Sequence, residues 1–139
     1  MLHKKLSRLA MALGGMLLLA APLAACSSDD DKASTSLSVE ATEFEFSDTS
    51  WTVPAGEEIS ITFQNNGAVQ HEWAVINLGM DLSSGADFTE DHVLWEIEKQ
   101  DPGVRVTENF TFDTPGVYQI VCALEGHVDA GMIASLTVS

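Results

Sequence analysis

Basic residues are scarce in this chain: six Lys and Arg face 21 Asp and Glu in 139 residues, a formal charge of −15. Three of the six, Lys4, Lys5 and Arg8, fall in the first eight residues, so the chain beyond residue 25 carries three basic against 21 acidic groups, a formal −18. Such a balance argues against nucleic acid and against charge-driven binding to anionic lipid. It favours a basic partner met in fast, salt-sensitive encounters, although acidity also serves solubility. Long apolar runs are scarce as well. The stretch Leu9 to Ala21 is rich in small residues and shorter than the roughly 20 residues that a spanning helix needs. Preceded by the three basic residues, it reads as the core of a signal peptide over Met1 to Ala25.

Cysteine is nearly absent, with Cys26 and Cys122 alone. The tetrapeptide Leu23-Ala24-Ala25-Cys26 resembles the lipobox of bacterial lipoproteins. That resemblance implies lipidation of Cys26, which becomes the first residue of the mature protein, on the extracytoplasmic side of a membrane. Cys122 is then a lone thiol in an oxidising compartment, which rules out an internal disulfide and points to metal ligation or a reactive role. Ser27 to Ser36 is polar, charged and without apolar pattern, so residues 26–36 are expected to form the lipidated end and a flexible tether. Residues 37–139 suffice for one small domain with a single core.

Helical periodicity is missing from most of that domain. Short alternating runs separated by turn residues predict an all-β fold. Leu37, Val39 and Ala41 alternate, and the phase then shifts to Phe44 and Phe46, as a bulge or bend near Thr42 and Glu43 would produce. Trp51 to Val53 precedes the turn Pro54-Ala55-Gly56; Ile59, Ile61 and Phe63 precede Asn65-Asn66-Gly67. Glu72 to Leu78 is a further apolar strand. Val104, Val106, Phe110 and Phe112 mark another, as do Tyr118, Ile120 and Cys122, then Ala134, Leu136 and Val138. Between them, Asp87 with Glu90 three residues on resembles an N-terminal capping pair, so a short helix is expected within 88–99. Seven to eight strands in this length suggest a Greek-key β-sandwich.

The chemistry concentrates in one stretch. Cys122, His127 and Met132 lie within eleven residues, with four residues between each neighbouring pair. Folded as a tight loop between two strands, that run brings a thiolate, an imidazole and a thioether together. Soft sulfur donors favour copper, and two His with one Cys and a weak axial Met is the donor set of blue electron-transfer copper sites. His71, at the start of a strand, can supply the second imidazole. Each residue alone has a plainer reading: Cys122 as a small buried hydrophobe, His71 as a satisfied strand histidine, Met132 as core filler. A zinc site would not choose a thioether. His92 and Met80 lack partner spacing and are read as structural.

The segments NNGAVQHEW at 65–73 and TPGVYQIVCALEGHVDAGMIASLTV at 114–138 resemble those of cupredoxins, the small bacterial plastocyanin- and azurin-like blue copper proteins. The resemblance covers essentially all of 37–139. It implies one type 1 copper per chain, with Cys122 as the strong equatorial ligand, His71 and His127 as the two imidazoles and Met132 as the long axial ligand. It also implies a monomeric, non-enzymatic carrier of single electrons between redox partners, with electrons leaving through the edge of His127 and Val128, Ala130 and Gly131 forming a modest docking patch. Two positions depart from the family: Glu72 stands where Asn is frequent, and Glu125 where Pro is. Their charge is expected to favour the oxidised metal and lower the reduction potential. Extracytoplasmic copper buffering or delivery is the alternative function. Enzymatic use of copper fares worse, because no His remains for a second centre, Val121 and Ala123 flank Cys122, and the loop has no second Cys. A metal-free immunoglobulin-like interaction module is the remaining reading.

Overall fold

The computed structural model describes residues 33–139. The expected signal peptide, the lipidation site Cys26 and most of the tether lie outside the described residues. Ser34 donates its backbone N–H to the Thr52 carbonyl at 3.0 Å, so backbone pairing with the sandwich begins a few residues ahead of Leu37.

Nine strands form two sheets among these residues. In chain order they are β1 (Ser36–Thr42), β2 (Glu45–Phe46), β3 (Ser50–Val53), β4 (Glu58–Asn65), β5 (His71–Ile76), β6 (Val93–Gln100), β7 (Arg105–Thr111), β8 (Gly116–Val121) and β9 (Ile133–Val138). The four-stranded sheet runs β2-β1-β4-β7 and the five-stranded sheet β3-β9-β8-β5-β6. Two neighbouring pairs are parallel, β1 with β4 and β3 with β9. The architecture is the β-sandwich that the alternation predicts.

Strict period-two burial explains the central strands. In β4 every second residue, Ile59, Ile61 and Phe63, has no exposed surface, and Leu136 and Val138 of β9 repeat the pattern. These faces enclose one apolar core with Val39, Trp73, Ile97, Phe112 and Ile120. Aromatic edges and faces knit it together: Trp73 meets Trp51 at 5.7 Å and Trp95 at 6.2 Å between ring centroids, and Trp95 stacks on Phe110 at 5.1 Å. Tyr118 buries its ring and donates its hydroxyl to the Thr114 carbonyl at 2.7 Å, pinning the turn that opens β8.

One expectation is corrected. No helix forms within 88–99. Two short 3-10 turns, Gly85–Asp87 and Glu90–His92, lead directly into edge strand β6. Ser84, not Asp87, caps the first turn, its hydroxyl accepting from the Ala86 N–H. The physical reason lies in β5, whose six residues are all buried. Its backbone groups need partners on both sides, and β6 supplies them opposite β8, with Ile97 facing Trp73 and Trp95 facing Val75. Of the two alternatives for the phase shift after β1, the chain takes the bend, as a tight reversal: Thr42 pairs with Glu45 and Ala41 with Phe46, leaving residues 43 and 44 at the tip.

Candidate metal centre

Topology brings the sequence-predicted donors to one end of the five-stranded sheet. β5 and β8 are antiparallel neighbours, Ala74 opposite Val121 and Val75 opposite Ile120, so the start of β5 meets the end of β8. His71 is the first residue of β5, and Cys122 directly follows β8. The loop between β8 and β9 then folds on itself. The N–H of Cys122 donates to the Met132 carbonyl at 3.2 Å, that of Met132 to His127 at 3.0 Å, and that of His127 to Leu124 at 3.0 Å. Gly126 and Gly131 take the positive φ values, 81° and 96°, that these tight reversals require.

The result is a compact donor set. Cys122 Sγ lies 3.2 Å from His127 Nδ1 and 3.9 Å from His71 Nδ1, and the three donor atoms fall within 4.8 Å of one another. Among the described residues this is the one such grouping of three or more His, Cys, Asp or Glu donors. His71 and Cys122 are fully buried, and His127 is 7 % exposed. Met132 is fully buried in the same apolar cluster as Cys122 and tied to the loop through its backbone. His92, on the second 3-10 turn, does not join the group, and Met80 is about half exposed.

Burial sets the protonation of the metal-free site. It pushes the Cys122 thiol up to about 11, against the lowering effect of the Glu72 and Leu124 N–H groups on its sulfur. The same loss of water pulls His71 and His127 below the ordinary imidazole value; the neighbouring His127 lowers His71 further, while Glu43 opposes the shift on both. At neutral pH both rings therefore offer lone pairs, and a metal must displace one proton, that of the thiol. Soft sulfur and paired imidazole nitrogens fit a type 1 copper site, and the buried frame suits a metal whose two oxidation states share one geometry.

The two departures from the family pattern occupy different surroundings. Glu72 is buried, and its Oε1 accepts the Ala123 N–H at 2.8 Å, while its own N–H reaches Cys122 Sγ at 3.5 Å. It thus ties the His71 strand to the Cys122 loop, and burial raises its carboxyl above the ordinary range. Glu125 is exposed. Both line a cavity of about 690 Å³ beside the ligand loop, together with Glu90, Glu96, Glu98 and Lys99. The docking patch expected at Val128, Ala130 and Gly131 is corrected in one member. Val128 is buried against Leu82, Ile76 and Val121. The exposed apolar side chain beside His127 is instead Phe44, edge-on to the imidazole at 5.0 Å between centroids.

Three supporting residues carried no usable signal in the sequence. Asn65 is buried and organises the approach to His71, accepting from Gly67 N–H at 2.9 Å and donating to the carbonyls of Val69 at 2.8 Å and Gln100 at 2.9 Å. The Asn65-Asn66-Gly67 motif marked a turn but not this bracing role. Glu43 and Phe44 sit at the β1–β2 tip, and only the fold brings them to the histidines.

The profile of the family described as "Cupredoxin-like domain" matches residues 15–134. The chain belongs to the cupredoxin-like family. This cupredoxin is 29% identical to auracyanin-B of Chloroflexus aurantiacus over 111 residues, covering 68% of the chain and 47% of that protein. It is 30% identical to the copper-resistant cuproprotein CopI of Rubrivivax gelatinosus over 94 residues, 63% of the chain and 55% of that protein. The chain thus spans about half the length of these curated relatives. Dithionite-reduced auracyanin from Roseiflexus castenholzii shares the fold, with a TM-score of 0.67 at 24% identity over 78% of this chain and 99% of that one.

Proposed function

We propose that this cupredoxin holds one type 1 copper through His71, Cys122, His127 and Met132, and carries single electrons between extracytoplasmic redox partners. The buried His-Cys-His cluster carries this reading: three donor atoms within 4.8 Å of one another, His71 and Cys122 anchored by adjacent strands and His127 by the loop that follows. Bound copper supplies a one-electron couple. The chain's own part is to hold the donors so that little rearranges between oxidation states, to exclude water from the sulfur, and to leave one ligand near the surface. His127 has that place, with Phe44 beside it as the exposed apolar contact. The acidic cavity next to the loop adds negative charge beside it, which suits a basic partner and a weak, quickly dissociating encounter. A lipid on Cys26 would confine the carrier to a membrane face, and the tether would let it reach between donor and acceptor.

Copper buffering or delivery is the second reading, favoured by the similarity to a copper-resistance cuproprotein. Complete burial of His71 and Cys122 opposes the ready ligand exchange that delivery needs. Loading the purified protein with Cu(II) tests the first reading: strong visible sulfur-to-copper charge transfer and reversible one-electron voltammetry are expected. A colourless protein would refute it. Fast copper transfer to an apo-acceptor would instead favour delivery. For the anchor, Cys26→Ser should move the protein from the membrane fraction to the soluble one.

A further inference from the structure

The β1–β2 tip touches both imidazoles. His71 turns Nδ1 toward the Cys122 sulfur, and its other ring nitrogen, Nε2, is buried with no hydrogen-bond partner. The carboxylate of Glu43 stands 3.8 Å from that nitrogen. A buried imidazole N–H left unpaired is costly, so an acceptor this near has a strong claim on it. Glu43 is not a wandering surface acid. Its Oε1 accepts the N–H groups of Ala68 and, at 3.1 Å, Val69, the residues that lead into His71. Gly67 completes the fit. A Cβ there would lie 2.6 Å from Glu43 Oε1 and 2.8 Å from His71 Nε2, so the missing side chain is what leaves room for the carboxylate beside the ring. On the far side of the tip, Phe44 packs edge-on against His127 and anchors the turn.

We propose that Glu43 is a positioning residue for the metal centre: it keeps the hydrogen of His71 on Nε2, which leaves Nδ1 bare toward the site and fixes the ring plane. A fixed tautomer is what a metal-binding imidazole needs from its outer partner, and a carboxylate also adds negative charge near the metal. Copper enters only through the reading above, whereas the tautomer is a property of the metal-free protein.

Nitrogen NMR of His71 in the metal-free full chain tests this directly. Wild type is expected to show the Nε2–H form alone. Glu43→Ala should give a mixture of tautomers, and its Cu(II) form a shifted charge-transfer band. Glu43→Gln retains an acceptor oxygen, so it should restore the single tautomer and the band while raising the reduction potential through loss of a charge. Should Glu43→Ala fail to fold, Glu43→Asp draws the carboxylate back from the ring by one methylene without removing it, and the same mixture is expected. An unchanged single tautomer in the shortened or truncated variant would overturn the proposal, leaving Glu43 as a loop brace. A wild type that stays colourless with Cu(II) would strike the copper reading instead and leave the tautomer result standing.

Discussion

The two sheets of the sandwich do unequal work at the metal end. β9, β8 and β5 are consecutive neighbours in the five-stranded sheet, and the proposed donors sit at their ends: Met132 before β9, Cys122 after β8 and His71 at the start of β5. The four-stranded sheet contributes no donor. It reaches the site through the β1–β2 tip, where Glu43 and Phe44 meet the two histidines from outside. Donors on one hydrogen-bonded sheet keep their mutual distances through backbone geometry, which varies far less than packing between sheets. The opposite sheet is then free to cover and adjust.

The sharpest way to break this division is Cys122→Ser. It should abolish the visible charge-transfer absorption altogether while leaving the far-ultraviolet circular dichroism of a β fold, because only one atom of the donor sheet has changed. Phe63→Ala probes the other sheet. Phe63 is fully buried in β4, and its loss should cost about 3–5 kcal/mol in denaturant unfolding. The absorption of the copper form should nonetheless stay near wild type, since no donor rests on that strand; a lost or strongly shifted band would show that the sheets are coupled.

A smaller effect is expected at Glu72. Burial lowers the pKa of His71 and His127 in the fold, so on acidification the unfolded chain takes those protons first, and the metal-free protein loses stability as pH falls below about 6.5. Glu72 acts with the opposite sign. Its folded carboxyl is raised, so its contribution is present at low pH and lost as pH rises through that raised value. Glu72→Gln keeps an acceptor for the Ala123 N–H without the buried charge. Thermal melts should therefore show a higher midpoint than wild type at pH 7 and a steeper loss on acidification between pH 6.5 and 4.5. The smallest change belongs to Glu125→Gln. An upward shift in potential is expected by sign, but solvent around the exposed carboxylate screens it, and the shift should fall below that of Glu43→Gln.

What the sequence disclosed follows the range over which its signals act. Cys122, His127 and Met132 were legible as candidate donors because one short loop holds all three. His71 was legible as the candidate second imidazole, through chemistry and family resemblance rather than any local pattern. Edge strand β6 was misread because its alternation is short. Val93, Trp95 and Ile97 alternate with Glu96 and Glu98, but Leu94 and Lys99 break the period at either end, and Asp87 with Glu90 imitates a helix start. Val128 looked like surface because small apolar loop residues often are, yet a second apolar cluster with Leu82 and Val121 claims it. Glu43 was silent: nothing local to a turn between two strands announces an imidazole contributed by a distant part of the chain.

β9 follows the other eight strands in chain order, yet it occupies an interior place, paired with β3 on one side and β8 on the other. A nascent chain that lacks it has a slot in the middle of the larger sheet, with unsatisfied backbone on both flanking strands. The ligand loop has no fixed far end until that slot is filled. Sheet closure and completion of the donor set should therefore be one late, cooperative event, and a chain stalled before β9 should neither resist protease nor turn blue.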